Sequence, residues 1–210
     1  MTIPLTLEQA RALGAHLADR HGATVVEPTD TISVGARALL RALAHLNPVI
    51  QDVWDEIEFR ARSVSLTLPS PAGAIVILSE SAVADPVGYA ATVCHEMQHA
   101  AQLDAAGSIQ GSIDYVASSE LRARAEADAY AVGVYVSYLL SGIAPRNEAI
   151  MSLASNLYHL APEDVDLARG ILSSHLATMK GGAVPPIQTA LEAMTWLRLN
   201  APDSIAEGIL

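Results

Sequence analysis

Three residues, His95, Glu96 and His99, have the types and spacing best suited to chemistry, and they form the pattern HExxH. On a helix, residues four apart lie about 40° apart around the axis, so both imidazoles would project from one face. A catalytic zinc ion takes three protein ligands and one water molecule. The spacing therefore predicts that His95 and His99 bind zinc, with Glu96 beside the metal as general base.

The residues around this pattern predict a well-delimited helix. Asp85 is suited to cap its first turn, Pro86 to begin it and Gly107 to end it. Small residues on the histidine face predict that a second helix approaches closely; they are Gly88, Ala91, Thr92 and Ala106. Such a neighbour is the expected source of a third metal ligand.

The next predicted helix carries three acidic candidates for that ligand, Glu120, Glu126 and Asp128. Glu120, Arg124 and Asp128 follow an i, i+4, i+8 line, and Arg122 and Glu126 form a separate i, i+4 pair. Any one of these carboxylates is also suited to a plain surface ion pair. These residues alone leave all three carboxylates as candidates for the third metal ligand.

The fold class predicted from the remaining sequence is α+β, mainly helical, in one domain of 210 residues. Apolar residues alternate over 62–68 and run without interruption over 74–78, which predicts two antiparallel strands just before the HExxH helix. Residues 108–118, rich in Ser and Gly, are predicted to form a loop. Predicted helices cover 7–20, 35–46, 49–58, 120–140, 147–160, 162–179 and 186–199.

Charge and composition restrict the partners. A formal net charge of −11 argues against nucleic acid and anionic membranes as partners and favours basic substrates. The uncharged run 129–145 is interrupted by Gly, Ser and Tyr, which favours a buried helix over a membrane span. With a single cysteine, Cys94, and no recognisable signal peptide, we expect a cytoplasmic protein.

HEMQH followed by a Glu-bearing helix resembles the zincin metallopeptidases, specifically the gluzincin type, over about 64–140. The resemblance implies His95 and His99 as zinc ligands, Glu96 as catalytic base, a helical Glu as third ligand, and 74–78 as the edge strand that binds substrate. The domain would then have its catalytic part at about 62–140 and helical elaborations at 1–61 and 141–210. A third histidine of the metzincin kind is excluded, because none occurs between His99 and His159.

We expect Glu120 to be the third ligand, with Glu126 as the alternative. Glu120 begins its helix, and the Glu–Arg–Asp line would orient its carboxylate, whereas Arg122 offers Glu126 a local partner. Against this, many gluzincins carry the ligand in a segment ExxxD or ExxAD; Arg124 stands four residues before Asp128, and the stretch around Glu126 is the closer match.

The predicted function is zinc-dependent hydrolysis of peptide bonds in a peptide or protein substrate. Tyr115, His159 and His175 are candidate donors to the developing oxyanion. The alternative is a structural or assembly protein that retains a zincin-type zinc site without catalysis.

The predicted site requires about one zinc per chain. His99→Ala should prevent zinc uptake, and chelation should lower the melting temperature of the wild-type protein, because metal affinity adds to the stability of the folded state. Elemental mass spectrometry and thermal unfolding measure these two effects. Full zinc occupancy in His99→Ala would refute the assignment.

Overall fold

The computed structural model describes residues 3–29, 65–70, 72–155 and 158–209. Helices predominate in this part of the chain, and three short strands form a small mixed sheet. The predicted α+β class is therefore confirmed. The helices predicted over 35–46 and 49–58 lie outside the described residues.

The described strands all lie in the first part of the chain, and the described elements that follow them are helical. In chain order they are α1 (Leu7–Arg20), β1 (Ala23–Val26), β2 (Leu66–Ser70), β3 (Gly73–Ile77), α2 (Pro86–Ala106), α3 (Ser108–Ala117), α4 (Ser119–Ser141), α5 (Arg146–Leu153), α6 (Pro162–Lys180), α7 (Gln188–Asn200) and a 3-10 turn (Pro202–Ser204). None of these helices is long and apolar enough to cross a membrane.

The helix that carries HExxH begins and ends where the sequence predicts. The Asp85 Oδ1 accepts a hydrogen bond of 2.8 Å from the backbone N–H of Gly88, Pro86 occupies the first turn, and Gly107 follows the last residue at φ 79°. Glycine adopts this positive φ without the steric cost that other residues meet. Ser118 caps α4 by accepting a hydrogen bond from the N–H of Leu121.

The sheet has the strand order β1–β3–β2. β2 and β3 are antiparallel, as predicted, with Ser70 opposite Gly73, whereas β1 pairs parallel to β3 and makes the sheet mixed. The expectation that 74–78 forms an edge strand is therefore wrong, because β3 is paired on both sides. A Cβ atom at Gly73 would lie 1.8 Å from the Gly22 carbonyl oxygen, so only glycine permits this approach of β1.

Two segments differ clearly from the secondary structure predicted for them. Residues 108–117 form helix α3 rather than a loop, since Ile109, Ile113 and Val116 recur at helical spacing. Gly111 serves close packing here, because a Cβ atom at this position would lie 3.0 Å from the Cβ atom of Ala106. Helix α5 ends at Leu153, earlier than the predicted residue 160.

Helices α2 and α4 cross closely at the centre of the core. A Cβ atom at Gly133 on α4 would lie 3.2 Å from the carbonyl oxygen of Ala91 and 3.6 Å from the Cβ atom of His95. Ala123 and Ala127, nearer the start of α4, are also buried. The close approach predicted from the small residues of α2 is therefore present, and it places α4 beside the histidines.

Enlarging Gly133 should force these helices apart. We expect Gly133→Val to lower the free energy of unfolding by about 1–3 kcal/mol, since a side chain inserted into a packed contact strains its neighbours. Gly170→Val on α6 is the matched control: a Cβ atom there has no neighbour within 4 Å, so the change should be neutral or slightly stabilising. Chemical denaturation followed by circular dichroism compares the two. Equal stability would contradict the close crossing.

Candidate metal centre

His95 and His99 of α2 lie beside Glu126 of α4. The His99 Nε2 atom is 3.3 Å from Glu126 Oε1, and the His95 Nε2 atom is 3.7 Å from Glu126 Oε2. One ligand atom from each of the three residues lies within 4.8 Å of the other two. Two imidazoles and one carboxylate form a donor set that zinc uses in catalytic sites.

The position of Glu126 follows from the helix crossing. Glu126 and Gly133 are seven residues apart, which is about two helical turns, so both lie on the face of α4 that contacts α2. Gly133 contacts α2 at Ala91 and His95, and Glu126 meets the same helix farther along at His99. The carboxylate is consequently buried, with 2% of its side chain exposed.

Glu120 is not at this cluster, which corrects the expectation that it is the third ligand. Its side chain is 57% exposed and pairs with Arg124, with Oε1 at 2.8 Å from the Arg124 Nη2 atom. Six residues separate Glu120 from Glu126, so the two side chains leave the helix about 120° apart. The face of α4 that contacts α2 therefore carries the alternative candidate, Glu126.

No protein-family model, curated protein or solved structure matches the chain. The geometry of the site must therefore be interpreted from its own residues.

Hydrogen bonds connect the His99 ring to α4. The His99 Nδ1 atom lies 3.0 Å from the Gln102 Oε1 atom, and the Gln102 Nε2 atom donates to the Ala125 carbonyl oxygen at 3.1 Å. In the neutral His99 ring, a proton on Nδ1 directed toward Gln102 would leave the Nε2 lone pair facing the cluster.

Tyrosines surround the cluster. The Tyr115 hydroxyl donates a short hydrogen bond to Glu126 Oε1. The Tyr130 ring contacts the His95 ring edge to face, with centroids 4.7 Å apart, and its hydroxyl lies 2.7 Å from that of Tyr158. Burial raises the pKa of Tyr130 to about 12, and it raises those of Tyr115 and Tyr158 well above the ordinary value. All three phenols are therefore neutral hydrogen-bonding groups at neutral pH.

Glu96 lies on the side of α2 that meets strand β2. The Thr67 hydroxyl donates to Glu96 Oε2 at 2.7 Å and lies 3.0 Å from the Glu96 carbonyl oxygen. Burial raises the pKa of the Glu96 carboxyl to about 7, against the opposing influence of His99 and of the Thr67 hydrogen bond. A carboxylate with this pKa is suited to accept and return a proton near neutral pH.

Of the three candidate ligands, His99 and Glu126 carry opposite charges, whereas His95 is neutral. Burial and, to a smaller extent, the proximity of His99 lower the pKa of His95 to about 4. For His99 burial also acts downward, but the Glu126 carboxylate outweighs it and raises the pKa to about 9. Burial would raise the pKa of Glu126, yet the neighbouring histidines and Tyr115 hold it below its usual value. A cation that binds here must therefore displace a proton from His99.

One oxygen of Glu126 supports the fit of a metal ion. Within the described part of the chain, Glu126 Oε2 is buried and has no hydrogen-bond partner, whereas Oε1 is bonded by Tyr115. Leaving such an atom unsatisfied costs about 1–3 kcal/mol or more for a charged group. A divalent cation held by His95, His99 and Glu126 would satisfy it, and imidazole with carboxylate is a donor set that suits zinc.

The other charged candidates have separate roles. Asp128 pairs with His175 of α6 rather than with Arg124, and 2.9 Å separates Asp128 Oδ1 from His175 Nε2. Arg122 does not pair with Glu126; it donates to the carbonyl oxygens of four residues in two segments. These acceptors are Tyr115, Val116, Tyr158 and His159. Of the three proposed oxyanion donors, only Tyr115 has its side chain at the cluster.

Sequence reasoning missed two side chains that hold the site. Gln102 stands three residues after His99, so helical spacing already placed it next to that ring. In the sequence, Thr67 is one of the polar residues of the alternating pattern over 62–68. Its contact with Glu96 depends on how the sheet packs against α2, which no local pattern specifies.

The geometry predicts different outcomes for the two glutamates of α4. Glu126→Gln should weaken zinc binding by at least the roughly 10–100-fold that loss of an outer-shell partner costs, because it removes an anionic ligand atom. Glu120→Gln, which changes only an exposed ion pair, should bind zinc as wild type does. Competition with a chromophoric chelator measures both affinities. If Glu126→Gln binds zinc tightly and Glu120→Gln does not, then Glu120 is the third ligand and the assignment of Glu126 is wrong.

Proposed function

We propose that this protein is a zinc-dependent peptidase of the zincin type, with His95, His99 and Glu126 as metal ligands and Glu96 as general base. The observation that carries the proposal is the partly buried cluster of two imidazoles and one carboxylate, together with Glu96, a further carboxylate of the same helix whose pKa lies near neutrality. The gluzincin resemblance agrees with it: HExxH lies on one helix and a glutamate on the next.

The zincin-like arrangement within the α+β class is part of the same proposal. A small sheet precedes the HExxH helix in the chain, and the Glu-bearing helix follows it. Strand β2 lies against α2 through the contact of Thr67 with Glu96. This order of elements supports the arrangement that the resemblance implies.

Bound zinc would supply Lewis-acid polarisation of a peptide carbonyl and acidification of a water molecule. Glu96 would then take a proton from the water as its oxygen attacks the carbonyl carbon. The same carboxyl would donate that proton to the amide nitrogen as the C–N bond breaks. Thr67 would hold the Glu96 carboxylate in place through its hydroxyl.

The outer edge of β2 is suited to bind the substrate backbone. Pro69 has no N–H group and so belongs at a position that faces away from β3. In an antiparallel pair such positions alternate, so the N–H and C=O groups of Thr67 face outward as well. Within the described residues no strand pairs with this edge. An extended peptide bound there would lie next to Glu96.

The enclosure of the cluster favours a second candidate, a non-catalytic zinc site that fastens α2 to α4. The side chains of His95 and His99 are each only 14% exposed, and Tyr115 occupies one oxygen of Glu126. A site of this kind has no need for Glu96. Hydrolysis is therefore the property that separates the two candidates.

Replacing the general base decides between them. Glu96→Gln should retain stoichiometric zinc while lowering kcat on a cleavable peptide by about 10²–10⁴-fold, the usual contribution of general acid–base catalysis. Glu120→Gln is the isosteric control and should keep wild-type activity. Peptide cleavage is followed by mass spectrometry, with metal content measured on the same samples. Zinc-loaded wild-type protein that cleaves no peptide of a diverse library would favour the structural site.

A further inference from the structure

A cavity of about 370 Å³ lies between the β2–β3 turn and the end of α2. Its lining includes Ser70 at the end of β2, Leu103 and Asp104 near the end of α2, and His21 after α1. None of these residues belongs to the proposed metal centre. The cavity is thus a separate feature on the sheet side of the HExxH helix.

The cavity and the general base lie along the same two elements. Asp104 follows Glu96 by eight residues, which is about 12 Å along a helix axis. Ser70 follows Thr67 by three residues, which is about 10 Å along a strand. Because Thr67 contacts Glu96, both elements run from the base to the cavity over nearly the same distance.

This distance corresponds to a defined position in a bound peptide. An extended chain advances about 3.3 Å per residue. A peptide that lies along the outer edge of β2 with its scissile bond near Glu96 would bring the side chain about three residues away to the cavity. The peptide direction decides whether this residue lies before or after the scissile bond.

The charges at the cavity favour a cationic side chain. The Asp104 side chain forms no ion pair with any residue that the structure describes, and Asp104 is exposed. Helix α2 ends here and has no basic residue in its last turn. His21, the basic group of the lining, already lies 3.0 Å from Glu192.

We propose that this cavity binds a lysine or arginine side chain of the substrate, located about three residues from the scissile bond, and that Asp104 is the residue that selects it. The inference rests on the proposed peptidase function and adds a substrate class to it. The cationic group would lie between the Asp104 carboxylate and the last turn of α2, with the aliphatic part of the side chain against Leu103.

Cleavage of a peptide library by the zinc-loaded full chain tests the proposal. We expect Lys and Arg to be enriched at the third position on one side of the cleavage site. Asp104→Lys should lower kcat/KM for a Lys-containing peptide relative to its Glu-containing counterpart by about fivefold to tenfold, the size expected for reversing one exposed charge. Asp166→Lys, the same change at an exposed position of α6, should leave the ratio unchanged.

Binding provides a readout that does not depend on turnover. Fluorescence anisotropy of the same labelled peptides on the Glu96→Gln protein should show the Lys preference, and adding Asp104→Lys should remove it. Cleavage without a basic preference, or with one that Asp104→Lys leaves intact, overturns the cavity assignment and leaves the peptidase proposal standing. Charge-selective binding without cleavage by the wild-type protein refutes the peptidase and supports the cavity.

Discussion

The close crossing of α2 and α4 is the constraint on which the rest of the structure depends. Glycine at position 133 permits it, because any larger residue meets the Ala91 carbonyl oxygen and His95. The crossing also buries the Glu126 carboxylate, which is costly without partners. His99 and Tyr115 supply these partners, so the packing of two helices and the pairing of a buried charge require each other.

The same crossing determines the orientation of both imidazoles. The His95 ring packs edge to face against Tyr130 of α4, and His99 reaches the Ala125 carbonyl oxygen through Gln102. Helix α4, which carries Glu126, thus also contacts the two imidazole rings that face this carboxylate. A shift of α4 along α2 would change all three donors together, which makes the cluster a property of the helix pair rather than of single side chains.

Local patterns predicted the parts of the fold that local interactions determine. Asp85, Pro86 and Gly107 delimit α2 as expected, and helical spacing alone placed His95 and His99 on one face. The rotation of α4 was missed, because it depends on the fit of Gly133 against α2 and not on the charge pairs along α4. The central position of β3 was missed for a similar reason: β1 has four residues, and its parallel pairing is a long-range contact.

The two oxygens of Glu126 explain why a buried carboxylate here differs from an ordinary structural ion pair. An ordinary pair would satisfy both oxygens, since each unsatisfied atom lowers stability. At this site Tyr115 bonds Oε1, which also faces His99, while Oε2 has no hydrogen-bond partner in the described chain. His95 lies nearest to Oε2, and its low pKa leaves it neutral and unable to act as a cationic partner at neutral pH. A neutral imidazole and an anionic oxygen therefore face each other, and both have available lone pairs. A bound cation would accept both lone pairs, whereas a proton on His99 satisfies this arrangement only in part.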